Sequence, residues 1–116
     1  MWEIITTTLF DQWFNEQSDE LQEDVLAAMH VLEIKGPMLG RPLADTLNGS
    51  QYPNMKELRI QHVGEPIRAF FAFDPNRSAI ILCAGSKAGQ NQKLFYKKML
   101  KIADKQFKIH LEKWEK

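Results

Sequence analysis

The stretch from residue 55 to 84, MKELRIQHVGEPIRAFFAFDPNRSAIILCA, constrains the fold more than any other part of the chain. It contains three strand-like segments, about 55–61, 66–73 and 78–84, separated by turn chemistry at Gly64 and at Asp74-Pro75-Asn76. Connections this short predict a meander. The third segment is apolar without interruption, which predicts a central strand covered on both faces. The first two alternate. Leu58 and Ile60 share one face with Lys56, and Met55, Glu57 and Arg59 take the other; Ile67, Ala69, Phe71 and Phe73 oppose Arg68, Phe70 and Ala72. If the first set of each strand meets the helices, then Glu57, Arg59 and Arg68 gather on an open, wet, concave face, because burying charges without partners costs several kcal/mol.

The flanking segments supply the rest of the architecture. WEIITTT (2–8) is rich in β-branched residues and reads as a first strand, and Leu9-Phe10 and Trp13-Phe14 recur at helical spacing. Ser18 can cap a second helix whose first turns carry Asp19, Glu20, Glu23 and Asp24, with Leu21, Val25, Ala28 and Leu32 as its core stripe. Gly36-Pro37 stops it. Residues 36–54 read as an ordered connecting loop and 85–92 as a polar, flexible one. Tyr96, Leu100, Ala103, Phe107, Leu111 and Trp114 then form a helical packing stripe. The expected order is β-α-α-β-β-β-α, an α+β fold in which a small antiparallel-rich sheet carries a helical hairpin and a C-terminal helix. At 116 residues the chain is expected to form one domain over 1–116, too short for two cores.

Several chemistries are excluded. His30, His62 and His110 are dispersed and Cys83 is the single cysteine, so no metal signature is present and no internal disulfide can form. Cys83, inside AIILCAG, reads as a reduced core residue. There is no phosphate-binding glycine motif, no recognisable nucleophile context and no implied cofactor. No apolar run approaches the ~20 residues of a membrane span, and the N-terminus lacks a basic signal-peptide region, so a cytoplasmic location away from membranes is expected. Net charge is zero overall, yet residues 1–55 carry nine acids and two bases while 56–116 carry six acids and thirteen bases. Such a split suits a polyanion or an acidic partner; the C-terminal lysines by themselves also fit a solvated helix face.

The candidate constellation is Glu57, Arg59, Arg68, Lys87 and Tyr96, with Lys56, Arg77 and Lys93 as further basic residues for contacting RNA. Two guanidiniums can grip one phosphate through paired hydrogen bonds. A carboxylate beside them can accept a proton from a ribose 2′-hydroxyl, Lys87 can stabilise charge, and Tyr96 can stack on a base or donate a proton. A surface Glu–Arg salt-bridge cluster accounts for the same spacing. His62, in the hairpin turn, is the one histidine expected near this face.

RPLADTLNGSQYPNMKELRI, IRAFFAFDPNRSAIILCAGSKAG and FYKKMLKIADKQFKIHL, over about residues 40–111, resemble the phage-derived HigB-like branch of the RelE/ParE toxin superfamily. The resemblance implies a RelE-like fold and a toxin of a type II toxin–antitoxin system that cleaves mRNA on the ribosome. It also implies neutralisation by a small helix-turn-helix antitoxin of the HigA kind, with operator DNA bound only through the complex. By position, Arg68 matches the arginine that opens the phosphate-binding strand and Arg59 a basic position on the strand before it. Lys87 falls near a basic residue after the last strand, and Tyr96, or Phe95, near a terminal aromatic. Where RelE has a catalytic lysine this chain has Glu57, so the proton acceptor stays open. A ParE-like gyrase inhibitor without nuclease activity, or an inactive phage-derived interaction module, would share the same fold.

Overall fold

The computed structural model describes residues 1–113; Trp114, the last member of the predicted C-terminal stripe, lies outside them. Its elements run β1 (Glu3–Thr6), α1 (Thr8–Asn15), α2 (Asp19–Lys35), a 3₁₀ turn (Gly36–Met38), β2 (Ala44–Thr46), β3 (Lys56–His62), β4 (Glu65–Phe73), β5 (Ser78–Ser86) and α3 (Gln92–Glu112). The five strands form one mixed sheet in the order β1-β5-β4-β3-β2. Only β1 with β5 is parallel; the other three pairs are antiparallel. This is the expected α+β arrangement with one strand more.

Local chemistry sets the boundaries. Thr7 accepts from the Phe10 N–H and caps α1, while its hydroxyl donates to Leu82 O at 2.8 Å and ties the strand-to-helix turn to β5. Ser18 caps α2 by accepting from Leu21 N–H, and Gly36, at φ 54°, ends it. The ring of Trp2 lies so close to Gly36 that any side chain there would collide with it. Asn91 caps α3 by accepting from Leu94 N–H, which fixes where Gln92 and Tyr96 emerge.

The sheet separates two apolar layers. Leu58, Ile60, Ile67, Ala69 and Phe71 pack with Phe10, Leu21, Val25 and Leu32 of α1 and α2. Met55, Phe70, Ala72, Ile80 and Leu82 pack with Phe95, Met99, Leu100, Ala103 and Phe107 of α3. An irregularity between Phe70 and Phe71 shifts the register so that Phe70 opposes Cys83 and Phe71 opposes Ile81. The extra residue turns both Leu82 and Cys83 toward α3. Burial pushes the Cys83 thiol up to about 12, which leaves it unreactive at neutral pH.

Three expectations are corrected. The face carrying Glu57, Arg59 and Arg68 is not open, because α3 lies across it; alternation assigns a residue to a face but not a cover to that face. The loop 36–54 contains β2, paired through Ala44↔Leu58 and Thr46↔Lys56, a strand too short to show a period. His62 ends β3 on the α2 side, with Nδ1 2.6 Å from Asp24 Oδ2, and therefore lies away from the candidate residues.

Candidate functional site

Where α3 begins, it leaves part of the second sheet face uncovered. The gap is a cleft of about 490 Å³. Glu57 and Arg59 of β3 and Arg68 of β4 contribute from the sheet, Thr46, Leu47 and Asn48 from the end of β2, Lys87 from the loop after β5, and Gln92 and Tyr96 from α3. Arg59 and Arg68 are direct cross-strand partners, a pairing of like charges that destabilises a sheet unless something neutralises it.

Glu57 does so. It is 3% exposed, and both oxygens are engaged. The Arg59 Nε–H donates to Oε2 at 3.1 Å, and the Tyr96 hydroxyl donates to Oε1 at 2.5 Å. Arg68 Nε stands 3.6 Å from Oε1, an ion pair but not a hydrogen bond. The Arg68 side chain is only 11% exposed; its Nη1 donates to Ile67 O at 3.0 Å, and among the described residues its Nε is a buried donor without an acceptor. Asp45 of β2 accepts from Arg59 Nη2 at 3.3 Å and from Arg41 Nε at 3.0 Å, holding Arg59 from behind.

Lys87 completes the rim. Its N–H donates to Pro66 O at 3.1 Å, and its ammonium sits over the Tyr96 ring, 5.5 Å from the centroid. Burial and the nearby Arg68 charge lower its pKa, with Glu57 acting in the opposite direction. Tyr96 is pushed up to about 12, first by burial and then by its bond to Glu57, so at neutral pH it is a donor. Three cations thus surround one carboxylate inside the cleft. Such an excess favours an anion whose oxygens can occupy the unfilled donors of Arg59, Arg68 and Lys87.

The structure gathers Glu57, Arg59, Arg68, Lys87 and Tyr96 as the sequence suggested, but on a half-covered floor instead of a wet face. Lys93 is exposed on the first turn of α3, one turn before Tyr96 and just outside the cleft. Lys56 precedes Glu57 in β3 and points to the opposite face, where Nζ donates to Thr46 Oγ1 at 2.8 Å. Arg77 is in the β4–β5 turn with its guanidinium over the Trp2 ring, about 23 Å along β5 from the Arg68–Gly85 pair. Asp45, Asn48 and Gln92 were not anticipated. Only the cap at Asn91, which places Gln92 and Tyr96 four residues apart on one helix face, was a readable signal for any of them. Elsewhere, an apolar groove of about 170 Å³ between α2 and β3 offers packing but no cluster of titratable groups. Among the described residues no group of histidines, cysteines and carboxylates could hold a metal, and no helix is long and apolar enough to cross a membrane.

Residues 12–108 match the family described as phage derived protein Gp49-like. A Mycobacterium tuberculosis protein provisionally named toxin HigB2 is 48% identical over 104 residues, covering 89% of this chain and 51% of its own. Another from the same organism, provisionally named toxin HigB3, is 44% identical over 101 residues, covering 87% and 86% respectively. The chain therefore spans about half the length of the first relative and most of the second. Among solved structures, a double mutant of the Escherichia coli toxin RelE in its free state superposes with a TM-score of 0.56, covering 75% of this chain and 84% of that one at 8% identity. At that identity the likeness is one of fold.

Proposed function

The chain belongs to the phage-derived Gp49-like family, and from that membership we propose that it is the toxin of a toxin–antitoxin pair, cutting mRNA on the ribosome as an endoribonuclease. The relatives provisionally named HigB toxins and the RelE-like fold support the toxin role. The observation that carries the chemistry is the buried Glu57 carboxylate held among Arg59, Arg68 and Tyr96, with Lys87 at the rim.

The scissile phosphate sits against Arg59 and Arg68, whose charges stabilise the extra negative charge of the five-coordinate transition state. The neighbouring ribose 2′-oxygen forms a bond to phosphorus as the bond to the 5′-oxygen breaks. The products are a 2′,3′-cyclic phosphate and a 5′-hydroxyl. Glu57 accepts the 2′-hydroxyl proton, using lone pairs that its present donors leave unfilled. Lys87, made more acidic by burial and by Arg68, supplies the proton to the leaving 5′-oxygen. Tyr96 keeps its proton, orients Glu57 and offers a ring for a base to stack on. A helix-turn-helix antitoxin neutralises the protein, and the pair binds operator DNA through the antitoxin.

Pulsed expression without an antitoxin, followed by mapping of RNA ends, tests this. Cuts inside translated reading frames, with 5′-hydroxyl termini, are expected; growth arrest with intact transcripts would refute the nuclease. Glu57→Gln then separates two roles. Cleavage falls sharply if Glu57 takes the proton. If it only orients Arg59, the glutamine variant keeps most activity and Arg59→Ala loses it.

A further inference from the structure

We propose that the ridge of exposed lysines on α3, Lys93, Lys97, Lys101 and Lys105, is an extended subsite that binds successive phosphates of the RNA strand leaving the cleft. The inference rests on the RNA-cleaving reading above and adds where the strand goes.

The four residues follow one another at i+4, so they form a single helical ridge with about 6 Å between neighbours and about 18 Å end to end. That step is comparable to the separation of phosphates along a stretched strand. All four are exposed, and none lies within ion-pair distance of a carboxylate among the described residues. The carboxylate beside them, Asp104, is committed elsewhere. It accepts from Ser50 Oγ at 2.5 Å and from Gln51 N–H at 3.0 Å, fastening the loop whose Leu47 and Asn48 form a wall of the cleft.

Nothing in the fold of α3 calls for this ridge. Like charges four residues apart destabilise a helix. Lys93 and Lys97 also stand in the first two turns, where the helix dipole disfavours cations, and the first turn contains no acid. The ridge starts beside Gln92 and Tyr96, both of which line the cleft, and leads away from it. An RNA strand whose scissile phosphate lies on Arg68 would pass over these lysines. A ligand small enough to stay within the cleft would never reach Lys101 or Lys105.

The test uses fluorescent single-stranded 2′-O-methyl RNA, which cannot be cleaved, as a tetranucleotide and as a dodecanucleotide. Affinity for the full chain and for Lys97→Gln/Lys101→Gln/Lys105→Gln is measured against salt concentration. For the longer RNA the log–log salt slope of the triple variant should shrink by about 2, as expected for three lost contacts with a single strand. For the tetranucleotide it should be unchanged. Thermal unfolding should show the variant at least as stable as the parent, since like charges are removed. Equal slopes for parent and variant on the dodecanucleotide would overturn the proposal. So would an equal loss on both lengths, or no binding of either RNA by the parent. Because cleavage plays no part in this measurement, a parent protein that binds through the ridge but cuts no RNA would refute the nuclease and leave the subsite standing.

Discussion

Two acidic side chains are buried under α3, one near each end of the helix, and their surroundings differ. Asp74 at the β4–β5 turn is 6% exposed. Its Oδ1 accepts from the N–H groups of Asn76 and Ser78 at 3.0 and 2.9 Å, and its Oδ2 lies 2.8 Å from His110 Nε2. Asp74 N–H also donates to Ser78 O. One carboxylate closes one turn and meets one side chain among the described residues, in a compact arrangement. Glu57, reached by Tyr96 about 21 Å earlier on the same helix, is buried as deeply but faces two guanidiniums, with an ammonium nearby and a buried Arg68 donor left over. Even with Arg59 shared with Asp45, Arg68 and Lys87 bring more positive charge than neutralising Glu57 requires. A carboxylate whose oxygens are taken up by one turn and one neighbouring side chain acts as a structural joint; surplus cations beside a cleft favour an anion.

Asp74→Ala gives the largest expected effect. It leaves two turn N–H groups and His110 without this acceptor and should cost about 3–5 kcal/mol of stability, read by denaturant unfolding. On the proposed function, toxicity per folded molecule should not change. A stable, non-toxic Asp74→Ala protein would erase the distinction between the two ends.

Arg68→Ala comes next; on the proposed mechanism, cleavage falls ~10²–10³-fold. Because Arg68 is nearly buried beside Glu57, its removal should also cost about 1–3 kcal/mol, more than an exposed arginine would. Arg68→Lys, which keeps the charge but not the guanidinium fork, should recover stability better than activity. Full toxicity in Arg68→Ala would move the active site elsewhere.

The smallest effect sharpens the Glu57 end. Tyr96 has a folded pKa of about 12, above its ordinary value of 10.0. The neutral phenol is therefore favoured by folding, and its contribution to stability is complete below pH 10 and lost as pH rises from 10 to 12. Tyr96→Phe should flatten the fall in stability across that window. An unchanged pH profile would mean the phenol is not held as tightly by Glu57 as the geometry indicates.

The sequence alone was enough to place the meander, both faces of β3 and β4, the caps at Ser18 and Gly36, and the five residues that meet in the cleft. The meander, the faces, the caps and the grouping of Glu57, Arg59 and Arg68 depend on local rules: a period of two, turn chemistry and helix capping. Lys87 and Tyr96 joined them through the chemistry a phosphate site needs and the family resemblance. Tertiary structure decided the rest. That α3 covers the charged face, so that Glu57 and Arg68 are buried, follows from where a helix after β5 can pack, and strand alternation carries no information about that. Strand β2 exists because β3 offers an edge; Ala44-Asp45-Thr46 has no strand pattern of its own. Asp45 reaches Arg59, Asp74 reaches His110 and Asp104 reaches Ser50 across 14, 36 and 54 positions of sequence. Pairings at that range are fixed by the packing of whole elements, and that packing separates the turn-closing carboxylate from the one that lines the cleft.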